Sequence, residues 1–318
     1  MSRLLAALAV PALLLASPAF AQEPAAAPSV APDPGTPAAN FSSDRIGVTV
    51  QGTGPDVVLI PGLNSTPAVW AGTMAALPGY RYHLIHVNGF AGRPAGANAQ
   101  GNYLAPVAEE IARYIREAHL DHPAVVGHSM GGSWTIMLAG RHPELVGKVM
   151  VVDMLPYLGA MMRAPGMSDE QVAEAIDRMQ AMMTNAPAEQ RRMMTSSMVS
   201  MMINTESEKQ PNINAALASD PAVSAQGFTD LMRTNLMEDV GRIRAPLVVL
   251  YTQPASPPGT PAPSVEQIDR AYQLSYRAAP QAVLRRVPNS AHFIMFDNAP
   301  FFQEQLRAFL TTPGTPRP

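Results

Sequence analysis

The stretch Gly127-His128-Ser129-Met130-Gly131 places a serine between two glycines, after an apolar run and before a helix-like one. A sharp strand-to-helix turn brings the chain close to itself two residues either side of the turning residue. Side chains there would collide, so glycines at 127 and 131 suit that turn. The turning residue is pushed onto strained backbone, with its hydroxyl exposed at the N-terminus of the next helix. Peptide N–H groups and the helix dipole favour developing negative charge at that point. The chemistry implied is attack by the Ser129 hydroxyl on a carbonyl carbon. A bare G-x-S-x-G also occurs in ordinary glycine-rich turns; the apolar strand before it and the helix after it supply the context the motif requires.

A serine hydroxyl needs a base to take its proton. The chain has seven histidines. His83 and His86 stand three apart in a strand-like run, so they face opposite ways and cannot clamp one metal ion. His119, His122 and His142 fall near helix ends, where a histidine caps or is solvated. His128 adjoins Ser129 but points away from the turn, which suits packing beneath it. His292 remains, between a strand and the final helix in "NSAHFIMFDNAP".

These residues need a scaffold. "RIGVTVQG", "PDVVLIPG", "YHLIHV", "PAVVGHS", "GKVMVVD", "APLVVLYT" and "AVLRRVP" read as strands, several of them continuously apolar, as in a parallel sheet buried on both faces. Helices are expected over Thr66–Leu77, Leu104–His119, Gly132–His142, Val265–Ala278 and Phe301–Leu310. In the second of these, Val107, Ile111, Ile115 and Ala118 share a face. The alternation implies a right-handed, mostly parallel sheet. Residues 155–238 interrupt it with no convincing strand and most of the 20 methionines. Ser168 with Gln171 reads as a capping box, and Asp220-Pro221 as the start of another helix. Val172, Ile176, Met179 and Met183 fall on one helical face; Met194, Met198, Met201 and Met202 repeat the pattern. Such methionines serve as packing between insertion and main domain, or as an adaptable apolar lid over Ser129.

"GHSMGG", with "LIPGLNST" upstream and "NSAHFIMFDNAP" downstream, resembles the α/β-hydrolase superfamily. Within it the chain is similar to single-domain esterases and lipases with a helical cap, over residues 45 to 311. The resemblance implies a mostly parallel α/β-hydrolase sheet flanked by helices, with an all-helical cap inserted after the sixth strand. It places the catalytic histidine at His292. It also implies an orienting carboxylate, where the chain departs from the commonest pattern: the loop after "APLVVLYT" holds no acid until Glu266. Asp153, ending the strand after the nucleophile strand, takes a position some members use. Glu266 is the rival, Asp269 a weaker one, and Asp297 is expected to cap the final helix. The family pattern maps the oxyanion donors to the backbone N–H groups of Leu63 and Met130. Asn64, Ser65 and Trp70 are candidates for the pocket lining, Trp70 equally for the core. The implied activity is serine-dependent hydrolysis of a small to medium apolar carboxylic ester. Amide, lactone or carbon–carbon cleavage would use the same groups, and a non-catalytic ligand-binding protein on the same fold is the reading from a different class.

Net charge is −3, with no basic run to suggest nucleic-acid binding. No metal-ligand cluster or dinucleotide fingerprint is seen, so no cofactor is expected. Arg3, the apolar run Leu4 to Leu15 and Ala19-Phe20-Ala21 fit a cleavable signal peptide over residues 1–21, too short to span a membrane, which points to a periplasmic or secreted protein with no stable membrane anchor after cleavage. Residues 22–43 read as a disordered Ala/Pro-rich linker and 312–318 as a loose tail. The core is assigned to 44–154 and 239–311 and the cap to 155–238. Oligomeric state is left open.

Overall fold

The computed structural model describes residues 36–38, 41–162, 166–253 and 262–314. The expected signal peptide, most of the linker, the end of the tail and most of the proline-rich loop before Ser264 lie outside the described residues.

Eight strands form one sheet: β1 (Thr36–Pro37), β2 (Ile46–Gln51), β3 (Asp56–Ile60), β4 (Arg81–Val87), β5 (Ala124–His128), β6 (Lys148–Val152), β7 (Leu247–Tyr251) and β8 (Val283–Arg286). Their order is β1-β2-β4-β3-β5-β6-β7-β8. β2 runs antiparallel to β1 and β4, and every pair from β4 to β8 is parallel. The continuously apolar strands lie in the middle: every residue of β5 is buried. This matches the rule that parallel strands are covered on both faces.

The helices are α1 (Ala71–Ala76), α2 (Leu104–Glu117), α3 (Met130–Arg141), α4 (Asp169–Asn185), α5 (Ala188–Met202), α6 (Glu206–Ala218), α7 (Pro221–Arg233), α8 (Met237–Arg242), α9 (Val265–Ser275), α10 (Ile294–Asp297) and α11 (Ala299–Thr311). On α2, Val107, Ile111 and Ile115 are buried as their spacing implies; Ala118 lies past the helix end and is exposed. The Thr66–Leu77 segment divides into a 3₁₀ turn, Pro67–Trp70, and α1. α3 begins two residues earlier than its pattern suggests, directly after Ser129, and is buried from Met130 to Gly140.

Two apolar cores flank the sheet. One holds α2, α3 and α8 against residues such as Val125 and Val151. The other holds Trp70, Phe302 and Leu306 against Val126 and Leu250. The inserted helices join both. Val223 and Leu231 of α7 enter the first core, while Val199 of α5 with Ile213 and Ala216 of α6 enter the second. α4 packs through Val172 and Ile176 on Met232 of α7. It opens with the Ser168–Gln171 capping box, and the Asp220 carboxylate caps α7 ahead of Pro221. Met179, Met183, Met194, Met198 and Met202 are half-buried, but Met201 is exposed: it lies about a hundred degrees round α5 from Met202, on the solvent side.

Asp297 does not cap the final helix. The N-cap of α11 is Asn298, which makes no side-chain cap bond. Asp297 Oδ1 instead accepts from Asn204 N, Thr205 N and Thr205 Oγ1, and Oδ2 from Ala291 N. It ties the α5–α6 turn to the loop that carries His292. Among the described residues, no helix is long and apolar enough to cross a membrane.

Candidate active site

Ser129 sits between β5 and α3 with φ 53° and ψ −124°, a conformation L-residues rarely adopt. Its N–H donates to the Val152 carbonyl (2.9 Å), and its carbonyl accepts from Gly132 N (2.7 Å). A Cβ on Gly127 would overlap the Gly131 backbone, and one on Gly131 the Ile60 carbonyl. The glycines are therefore required by contact as well as by the turn.

Asp153 follows β6 and is also in the left-handed region, at φ 53°, as is Asn64 at φ 60°. All three line one cavity of about 270 Å³, between the carboxyl ends of the strands and the inserted helices. Strained backbone gathers where surrounding structure must aim a side chain.

The same cavity receives His292, from the loop after β8. His292 Nδ1 lies 2.7 Å from Asp153 Oδ2. The other bonds to Asp153 come from residues that carry no local sequence signal. Thr252, just past β7, donates its N–H to Oδ1 (3.0 Å) and its hydroxyl to Oδ2 (3.3 Å). Tyr272 of α9 donates its hydroxyl to Oδ1 (3.2 Å). Burial, then the Asp153 charge, pushes the Tyr272 phenol well above its ordinary range, so it stays a neutral donor. With the carboxylate so engaged, Nδ1 of His292 is a donor, and Nε2 is the nitrogen left for proton transfer.

The rivals are placed elsewhere. Glu266 is exposed in the first turn of α9 and does not line the cavity. Asp269 accepts from Tyr251 Oη and Arg286 Nε, both at 3.0 Å. Trp70 is fully buried against Phe302, with ring centroids 6.1 Å apart, and belongs to the core. Asn64 and Ser65 do line the cavity.

His128 lies under the site. It is fully buried, and Nε2 donates to the His292 carbonyl at 3.0 Å. Its ring packs 4.6 Å from both His292 and Phe293. Burial above all, then the nearby His292 charge, pushes it well below the ordinary histidine range, so it is neutral. Packing beneath the turn is thus joined by a bond that fixes the His292 backbone.

Leu63 lines the cavity, and Met130 is the first residue of α3. The first N–H groups of a helix have no partner within it, so Met130 N–H is available beside Ser129. Apart from Asn212, the remaining walls are apolar: Leu155, Met198, Met202, Phe228, Leu231 and Phe293 are among them. Among the described residues, no group of three or more His, Asp or Glu is placed to hold a metal ion.

This fold is shared with known proteins. The esterase from Exiguobacterium antarcticum superposes with a TM-score of 0.69 at 17% identity, covering 87% of this chain and all of that one. The enol-lactonase from Burkholderia xenovorans LB400 gives 0.67 at 15% identity, covering 84% and 96%. The pimeloyl-[acyl-carrier protein] methyl ester esterase of Aeromonas hydrophila subsp. hydrophila is 35% identical over 125 residues, 38% of this chain and 46% of that protein. The chain thus spans less than half the length of the first curated relatives it matches. The family model for the alpha/beta hydrolase fold matches residues 55–299, and the chain belongs to that family.

Proposed function

We propose that the protein is a serine hydrolase of small to medium, apolar carboxylic esters. The observation that carries this reading is the 2.7 Å contact between His292 Nδ1 and Asp153 Oδ2, in the same cavity as the strained Ser129. Ser129 Oγ attacks the ester carbonyl carbon while His292 Nε2 takes its proton. Asp153 holds the ring and stabilises the imidazolium. The tetrahedral oxyanion is met by the N–H groups of Leu63 and Met130; losing one such donor costs about 3 kcal/mol in the barrier. Collapse breaks the ester C–O bond, and the departing alkoxide takes the proton from His292. Water, deprotonated by the same nitrogen, then attacks the acyl carbon; the bond to Ser129 Oγ breaks, Oγ takes that proton back from His292, and the acid is released. The apolar walls and the adaptable thioethers of Met198 and Met202 suit an uncharged acyl or alcohol group. The esterase and lactonase names among the relatives are consistent with this chemistry. The leader-like segment of residues 1–21 supports export to the periplasm or beyond.

A fluorophosphonate probe tests the reading. Wild type is expected to be labelled and to hydrolyse p-nitrophenyl esters, with both lost in Ser129→Ala. A wild type that neither labels nor turns over would leave a ligand-binding protein on a hydrolase fold.

A further inference from the structure

The polar groups on the cavity wall carry a directional signature, and it specifies the ester further. This step rests on the reading of the cavity as the substrate site. Two asparagines line it, Asn64 beside the oxyanion loop and Asn212 on α6. The Asn212 amide nitrogen donates to the Glu208 carbonyl at 2.7 Å. A carbonyl only accepts, so the orientation of that amide is fixed and its Oδ1 is left over. Ala216, one turn on, lines the same cavity, so this face of α6 looks inward.

The Asn64 amide abuts Ser224 of α7, and the proton count at Ser224 settles its orientation. Ser224 Oγ lies 2.7 Å from the Asp220 carbonyl oxygen, which can only accept, so the one hydroxyl proton goes there. Asn64 Oδ1 turned toward Ser224, at 2.8 Å, would set two oxygens face to face with no proton between them. The half-turned amide places NH₂ there as a donor to the Ser224 lone pair and leaves Oδ1 on the other side. Each asparagine thus spends one of its two amide N–H donors on the protein and keeps its Oδ1 uncommitted beside the cavity.

The other polar groups are committed elsewhere or act either way. Thr252 and Tyr272 are committed to Asp153. Ser65 offers a hydroxyl that can act either way. No lysine or arginine is among the described residues lining the cavity. We infer that Asn64 Oδ1 and Asn212 Oδ1 form an acceptor pair for a substrate hydroxyl or N–H, so that the ester is neutral, mainly apolar and bears a hydrogen-bond donor. A free carboxylate or phosphate would meet the Asp153 carboxylate and no cation among the described lining residues.

Binding to Ser129→Ala, which has no nucleophile, tests this without turnover. Isothermal titration calorimetry compares ethyl hexanoate with the ethyl esters of 2-, 3- and 6-hydroxyhexanoic acid and with monoethyl adipate. At least one hydroxy ester is expected to bind about tenfold tighter than ethyl hexanoate, the worth of one net hydrogen bond. Adding Asn64→Leu or Asn212→Leu should bring that ratio toward one, and monoethyl adipate should bind more weakly than the parent ester. Hydroxy esters that bind no tighter than ethyl hexanoate overturn the inference, as does tighter binding of the adipate. So does a ratio that survives both leucine variants. The first two arms need no change to either asparagine, so a leucine variant that fails to fold does not blunt the test. Fluorophosphonate labelling reads the serine mechanism separately: labelling without hydroxy preference sinks only the acceptor pair, and hydroxy preference without labelling sinks only the mechanism.

Discussion

Two of the histidine–aspartate pairs, nearly equal in length, stand at opposite ends of the sheet. His292 and Asp153 meet at 2.7 Å beyond the carboxyl ends of β6 and β8. His83 and Asp56 meet at 2.8 Å near the amino ends of β3 and β4. The difference is what occupies the other ring nitrogen and the other carboxylate oxygen. His83 Nδ1 is held by the Tyr114 hydroxyl at 2.5 Å, and Asp56 is also held by Arg81 Nε and Nη2. The second nitrogen of His292 belongs instead to a ring that lines a cavity shared with Ser129. A histidine–carboxylate distance is therefore no signature of catalysis; a base also needs one nitrogen kept for the reaction. At β3 and β4 the same groups serve as a saturated polar plug.

The largest effect that separates the pairs is expected in turnover. By the general behaviour of such triads, Asp153→Asn should lower kcat by about four orders of magnitude. Asp56→Asn should leave kcat within a few-fold and lower the melting temperature instead. Ester hydrolysis and thermal melts on both proteins check this; equal kcat for Asp153→Asn and wild type would remove the assignment of the orienting acid.

The plug should show itself in stability. Tyr114→Phe removes the partner of a buried imidazole nitrogen and is expected to cost about 1–3 kcal/mol in denaturant unfolding, with esterase activity retained. A smaller effect is expected on the cavity side. Tyr272→Phe keeps the ring stacked 4.1 Å from Tyr251 but loses the bond to Asp153. A fall in kcat of about three- to tenfold at unchanged KM is expected from one net hydrogen bond; a loss confined to KM would place Tyr272 in binding instead.

Acid should weaken the plug, and the sign follows from proton binding. Burial holds His83 below the ordinary histidine range, against the opposing pull of Asp56. His128 is lowered further, again chiefly by burial. Unfolding restores their proton affinity, so below about pH 6.5 the unfolded chain binds more protons and stability falls. Asp56 is raised by burial but lowered more by Arg81 and His83, and its net lowering adds a second loss as pH drops through the carboxylate range. Melting temperatures recorded from pH 7.5 to 5 should decline, less steeply in His83→Gln. A flat profile would mean that the buried histidines are not held neutral.

Much of this was legible before any coordinates. The tight turn at Ser129 announces itself because the steric need for Gly127 and Gly131 lies within five residues. The parallel sheet is visible because strands covered on both faces must be largely apolar, as β5 is from Ala124 to Gly127. The Ser168 and Asp220 caps are visible because a cap acts on N–H groups two or three residues away. Asp297 was misread for the complementary reason: its position suits a cap, but its partners Asn204 and Thr205 lie more than ninety residues earlier in the chain. Thr252 and Tyr272 went unseen because a threonine after a strand and a tyrosine on a helix are unremarkable by themselves.

The amino-acid sequence alone thus determined where the chain turns, which segments form strands and which serine is lifted onto a strained bend, since these follow from backbone sterics and apolar spacing over a few residues. Only the tertiary structure decided which carboxylate meets His292. Parallel pairing of Val152 with Leu250 carries Asp153 to Thr252, and the packing of α9 and of the loop after β8 adds Tyr272 and His292. The imidazole and carboxylate that touch are 139 residues apart. No local pattern encodes such a contact, because it is set by the register of neighbouring strands and the packing of whole elements.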